Sequence, residues 1–210
     1  MLGEKLSPYE NERLGELLHA ERFQLKMLYR ELPTPAIDAL DGEYDAQLLD
    51  QGEKFASKLT HRIFSSRGPW VGKAFRPLNE SSGEGYNAFG TPEDRRAELP
   101  MDTYIGHSLV GQGDSFILDY RAKNRGAIRW LRGEVRPVSD SVFLGMGTFG
   151  PWAPKLKKLR RVIPFVMVKS DRPYLLAEDD GPTILKFETG KGSQESGSSE
   201  SDGAAVSRAA

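Results

Sequence analysis

The chain has 210 residues, 38% of them hydrophobic and 28% charged, with a formal net charge of −1. That balance is ordinary for a globular protein and creates no field that would gather nucleic acid or an anionic membrane. Cysteine is absent, which excludes a disulfide framework, a thiolate metal site and a cysteine nucleophile, and suits a reducing, cytoplasmic setting.

The opening segment carries early acids and no apolar run, so it does not read as a signal peptide. No stretch approaches the length of a transmembrane segment. Ser7-Pro8-Tyr9-Glu10 reads as a helix start: Ser7 caps, Pro8 suits the first turn and Glu10 completes a capping box. Leu14, Leu17, Leu18, Leu25 and Leu28 recur at roughly helical spacing as far as Arg30, and Pro33 and Pro35 then end the helix. Residues 1–31 are therefore expected as one helix packing on a domain spanning 32–188.

Gly42 to Leu49 alternates, with Tyr44, Ala46 and Leu48 on one face of a strand. Phe55, Leu59 and Ile63 are spaced by four and predict a second, short helix. From Gly68 the character is β. The segment from Trp70 places Trp70, Gly72 and Ala74 on one face and Val71, Lys73 and Phe75 on the other. Strands follow at 83–89, 98–106 and 115–122, then through 127–137, 141–150 and 160–168. Residues 172–176 and 183–188 are candidate edge strands. Short turns rich in Gly, Asn, Asp and Ser separate the strands, which predicts an antiparallel meander. About eight such strands must close or split into two sheets, since open edges invite association. Residues 189–210 are mostly Gly, Ser, Ala and charge without an aromatic, and are expected to be a disordered tail.

One hairpin combines opposite tendencies. With Ser139-Asp140 as a two-residue turn, Arg136 faces Phe143, Glu134 faces Gly145 and Arg132 faces Gly147, while Leu131, Val135, Leu144 and Met146 share the other face. Two readings of the charged face follow. It is a solvated outer ladder with glycines that permit bending, or it lines a chamber in which glycines leave room and arginines hold an anionic head.

Chemical motifs are largely excluded. The run from Gly68 to Ala74 lacks the spacing and the Ser or Thr of a phosphate loop. His107-Ser108 lacks the second glycine and the α/β setting of a nucleophile elbow. His19, His61 and His107 make no metal-ligand spacing, so no metal and no cofactor is expected. The basic residues Lys155, Lys157, Lys158, Arg160 and Arg161 read as a solvated run before an apolar strand, or as an anion patch.

The stretch from Glu31 to Leu49, followed by the Trp70–Phe75 segment, resembles the bacterial GXWXG-containing proteins. The polar run at Leu118–Arg136 and the hairpin that follows resemble the domain paired with it. Tyr44 and Ala46 stand where that signature has Trp and Gly. Gly42-Glu43-Tyr44 is also similar to the glycine-x-aromatic first strand of lipocalin-like barrels, which closes one end of the cup. These resemblances imply little chemistry.

The expected fold is a mainly antiparallel lipocalin-like β-barrel with an N-terminal helix and a second short helix. The expected role is non-catalytic binding of a small lipophilic molecule with an anionic or polar head. Trp70, Phe75, Tyr86 and Tyr104 are candidate walls, and Lys73, Asn87, Asp119, Tyr120, Arg121, Arg132 and Arg136 are candidate polar contacts. An isomerase or cyclase using Tyr86, Asp119 or Tyr120 as acid or base is the alternative, and an interaction module built on the basic run and the N-terminal helix is a third. The sequence leaves the oligomeric state open.

Overall fold

A computed structural model describes residues 5–50, 67–91, 94–150 and 161–175. Among them, eight strands pair in sequence order and the last returns to the first, forming a closed antiparallel barrel. The strands are β1 (Gly42–Leu48), β2 (Trp70–Pro77), β3 (Ser82–Gly90), β4 (Arg95–His107), β5 (Asp114–Asp119), β6 (Leu131–Pro137), β7 (Val142–Phe149) and β8 (Arg161–Lys169). β1 and β8 close the sheet from Tyr44 opposite Lys169 to Leu48 opposite Phe165. Closure removes both sheet edges, so each strand has one inward and one outward row.

The inward row is apolar and aromatic. Tyr44 packs against Phe75 and Phe143 at ring separations of 5.6 and 5.5 Å, and Phe75 meets Phe116 at 5.4 Å. Ile37 and Leu40 join this cluster through a 3₁₀ turn, Ile37–Ala39, just before β1. The Tyr44 hydroxyl accepts from the Asp41 amide at 3.2 Å, so the aromatic of the first strand ties down the chain entering the barrel. Gly42 makes the entry possible: its φ is +87°, where a side chain is strained, and a Cβ would lie 3.2 Å from the Arg172 carbonyl. The expected face of Tyr44, Ala46 and Leu48 is the inward one.

The N-terminal region forms two helices rather than one. The first, α1, is Pro8–His19, with the Ser7–Glu10 capping box in place. The second, α2, is Arg22–Glu31. Ala20 and Glu21 between them are extended, and the Gln24 side chain accepts from the Glu21 amide at 2.8 Å. Glu21-x-x-Gln24 is a helix-start signal hidden inside a leucine spacing that runs on across the break. The turn lets both helices lie on the outside of the barrel, with Leu14, Leu17, Leu25 and Tyr29 against Val142, Leu144, Met146, Val166 and Val168. Residues 171–175 form no edge strand. They run as a strap in which Tyr174 packs on Tyr86 at 4.9 Å and the Leu175 amide donates to the Tyr86 hydroxyl at 2.9 Å. The expected short helix at 55–63, the basic run 155–160, the candidate strand at 183–188 and the tail at 189–210 lie outside the described residues.

The β6–β7 hairpin corrects the register expected from sequence. Its turn has three residues, Ser139 to Ser141, closed by the Val138 and Ser139 amides donating to the Val142 carbonyl. Every cross-strand partner moves by one: Arg136 faces Leu144, Glu134 faces Met146 and Arg132 faces Thr148, while Val135 faces Gly145 and Gly133 faces Gly147. The inward row is Leu131, Gly133 and Val135 with Phe143, Gly145 and Gly147. The charged row points outward, and neither sequence reading of it holds. It does not line the barrel, and Glu134 and Arg136 are buried rather than solvated.

Arg136 explains how a buried cation is held there. Its guanidinium donates to the Tyr29, Arg30 and Leu32 carbonyls at 3.1, 3.3 and 2.9 Å, to the Asp114 carbonyl at 2.8 Å and to Ser115 Oγ at 3.0 Å. It also donates to the Gln112 carbonyl. The first three carbonyls belong to the end of α2, where a cation complements the helix dipole. Glu134 organises the adjoining turn by accepting from Ser108 Oγ at 2.5 Å and from the Leu109 amide at 2.8 Å. Replacing Arg136 with Leu leaves these buried carbonyls unpaired and is expected to cost about 3–5 kcal/mol. Urea unfolding measures the loss, and hydrogen exchange is expected to show α2 opening before the barrel.

Candidate functional site

Inside the barrel, between its middle and the end where β2 begins, four polar side chains break the apolar lining. They are Trp70 and Lys73 from β2, Asn87 from β3, and Tyr120 immediately after β5. Lys73 Nζ donates to Asn87 Oδ1 at 2.6 Å and to the Tyr120 hydroxyl at 2.8 Å. Trp70 Nε1 donates to the same Asn87 oxygen at 3.1 Å. Asn87 Nδ2 donates to the Tyr120 hydroxyl at 3.0 Å and to the Leu99 carbonyl at 3.4 Å. Two donors converging on Oδ1 fix the orientation of the amide.

Two irregularities bring the group together. A register shift between Trp70 and Gly72 breaks the alternation of β2. Trp70 therefore turns to the same side as Lys73 and Phe75, whereas strict alternation opposes them. A second irregularity lies between β3 and β4, where Gly85 to Asn87 spans two steps against three from Met101 to Glu98. Leu99 sits in this bulge at φ +53°, a left-handed conformation that costs a leucine about 1–2 kcal/mol. Its carbonyl is the one that meets Asn87.

The Lys73 cation lies in an aromatic cage, 5.3 Å from the Trp70 ring, 5.5 Å from Tyr120 and 5.3 Å from Phe165. Phe165 reaches it because Gly145 has no side chain: a Cβ there would sit 2.1 Å from the phenyl ring. The glycine opposite Val135 thus makes room for a neighbouring ring. Among the described residues no carboxylate pairs with Lys73. Burial pushes its pKa down to about 7, because the charged form is the one that loses solvation. Burial pushes Tyr120 up, so its hydroxyl keeps its proton.

The remaining sequence candidates lie outside this polar group. Phe75 faces inward and packs against Tyr44. Tyr86 is on the outer face, where it donates to Glu43 Oε1 at 2.9 Å. Arg95 and Arg172 also meet Glu43, at 3.3 and 2.9 Å, which anchors the strap. Tyr104, Asp119 and Arg121 form an outer group: Arg121 Nε lies 3.0 Å from both Asp119 oxygens and Nη2 lies 2.5 Å from one. Burial alone would raise Asp119, but these hydrogen bonds outweigh it and hold the carboxyl low. Arg132 donates to the His107 carbonyl at 2.5 Å on the outer face, and Arg136 is bound to α2. His107 is an exposed strand end. Among the described residues no cluster of His, Asp or Glu has the arrangement of a metal site. Phe165 and Leu99 belong to the group and are not among the candidates named from sequence.

These features define a closed, eight-stranded antiparallel barrel of lipocalin-like type with a polar group in its interior. No family model matches the chain, so the resemblance to GXWXG-containing proteins gains no support there, and no curated protein matches it. Two solved structures are similar to it. One is a protein from Thermomonospora curvata, 14% identical, covering 76% of this chain and 97% of that one at a TM-score of 0.49. The other is the siderocalin Ex-FABP, described as functioning through dual ligand specificities. It is 12% identical and covers 63% of this chain and 74% of that one at a TM-score of 0.37. The fold assignment rests on the strand pairing itself. No helix among the described residues is long and apolar enough to cross a membrane.

A lysine whose folded pKa lies below its unfolded value is a stability cost that depends on pH. Between about 7 and the ordinary value of 10.5 the unfolded chain binds the extra proton, so stability rises with pH across that window. Lys73→Met is therefore expected to exceed the wild type in stability below pH 7, by on the order of a few kcal/mol. The gap should shrink steadily as pH approaches about 10. Urea unfolding at a series of pH values checks this, and a gap that does not move with pH would contradict it.

Proposed function

We infer that the protein binds a small, mostly apolar molecule by an anionic or acceptor-rich head, held at Lys73 inside the barrel. The observation that supports this reading is an excess of donors. Asn87 Oδ1 already accepts two hydrogen bonds, and the Tyr120 oxygen already accepts two. An ammonium has three N–H groups, of which Lys73 uses two, and the Tyr120 O–H has no acceptor among the described residues. A group completing this array is an acceptor, and a carboxylate also neutralises the cation. The apolar and aromatic lining around it suits a hydrocarbon body. Small antiparallel barrels of this size hold one small ligand in several proteins. Of the residues named from sequence for acid–base turnover, Asp119 and Tyr86 are committed to partners on the outer face, and Tyr120 is the one beside Lys73.

Titration calorimetry against saturated fatty acids of graded length tests the reading. An anion binds the protonated lysine, so affinity is expected to be level below pH 7 and to fall about tenfold per pH unit above it. Lys73→Met should weaken binding at least about tenfold, and Tyr120→Phe by a smaller factor. Tyr86→Phe, on the outer face, should leave it unchanged. Binding that survives Lys73→Met, or shows no pH dependence, refutes the assignment.

A further inference from the structure

The same lysine has a second property that ion pairing does not need. It is an amine in an apolar cage, without a carboxylate among the described residues to hold its proton, and it touches a phenol. We propose that Lys73 forms a reversible imine with the carbonyl carbon of a small apolar aldehyde or ketone held in the barrel. The proposal rests on the reading of the Lys73 group as the head-group site, and extends it from anions to carbonyl compounds.

The chemistry follows from the atoms present. The neutral amine attacks the carbonyl carbon, a C–N bond forms, and the carbonyl π electrons move to oxygen. That oxygen takes up a proton, the nitrogen releases one, and a carbinolamine results. Loss of hydroxide as water, with a proton supplied to the leaving oxygen and the nitrogen lone pair closing the C=N bond, gives the protonated imine, which releases its N–H proton to become the neutral imine. No oxidant or reductant is consumed. Desolvation favours the neutral, nucleophilic amine. Tyr120 touches Nζ at 2.8 Å and keeps its proton in this burial, so it is placed to donate to the carbonyl oxygen. Asn87 holds both partners, donating to Tyr120 and accepting from Lys73. A cage of Trp70 and Phe165 supplies an apolar surface that shields the imine from hydrolysis.

The test uses the full chain with aldehydes from butanal to dodecanal and sodium cyanoborohydride, which reduces an imine to a stable secondary amine. Peptide mass spectrometry then reads which lysine carries the alkyl group. At about pH 8 Lys73 is expected to be labelled at least about tenfold faster than the exposed Lys5 and Lys169, and fatty acid of matching length should compete. Tyr120→Phe should slow labelling at Lys73 without slowing it at Lys5. Lys73→Met, which removes the nucleophile, should lose the fast label, while Lys5 and Lys169 keep their slow one. Labelling of Lys73 no faster than the exposed lysines, while the fatty acid still binds, overturns the imine and leaves the head-group reading standing. Fast labelling without fatty-acid binding supports the imine and removes the anionic head. Failure of both overturns both. The site-resolved rates come from the wild type, so Lys73 is compared with Lys5 and Lys169 even where a variant does not fold.

Discussion

The return of β8 to β1 is the constraint on which this structure turns. A closed sheet has no edges, and every strand residue then points either into one shared interior or onto one outer surface. Because side chains alternate with a period of two, a single extra residue exchanges the two rows. The protein uses this switch three times. The three-residue turn at 139–141 fixes which row of β7 faces which row of β6. The shift after Trp70 turns an indole inward beside Lys73. The bulge at Leu99 aims a carbonyl at Asn87.

Closure also explains how charge is distributed. The inward row tolerates the Lys73 cation because three aromatic faces and two hydrogen bonds surround it. The outer row carries Glu43, Asp119, Arg132, Glu134 and Arg136, and some of that surface is covered again by helices and strap. Arg136 and Glu134 are therefore buried outside the barrel, beneath α2 and the turn at 108–114. Glu43 is buried beneath the strap. Glu43, Glu134 and Arg136 take partners from elements distant in sequence. These charges work as fasteners that hold peripheral segments to the barrel wall. The interior lysine differs from them in having donors left over.

Much of the fold was legible in the sequence. Turn residues at short intervals and alternating strands imply a meander, and a meander of this length has to close. The helix cap at Ser7 and the inward row of β1 were also readable, because each depends only on neighbours in the chain. What was not legible depends on pairing across the sheet. A three-residue and a two-residue turn look alike in Val138-Ser139-Asp140-Ser141-Val142, and choosing wrongly moved Arg132 and Arg136 out of register with their true partners. Trp70 and Lys73 fall on opposite faces by alternation, and only the bulge reunites them. Tyr86, Tyr104, Asp119 and Arg121 look like interior candidates because nothing local announces the strap over Tyr86 or the fork of Arg121 on Asp119. Phe165 was invisible as part of the site because its position depends on Gly145 across the neighbouring strand.

The protonation state of Lys73 links these observations. Charged, the amine donates to Asn87 and Tyr120 and keeps a third N–H for an acceptor. Neutral, it has a lone pair, and the Tyr120 hydroxyl then has an acceptor for its own proton. The two states reverse the direction of one hydrogen bond, between Lys73 and Tyr120. An anion would stabilise the first state by adding the missing counter-charge, and a carbonyl carbon would consume the lone pair of the second. With the pKa near 7, neither state is far from the other in free energy at neutral pH. On the proposed reading, the head group that arrives would therefore select the chemistry, and the barrel would supply the same cage to both.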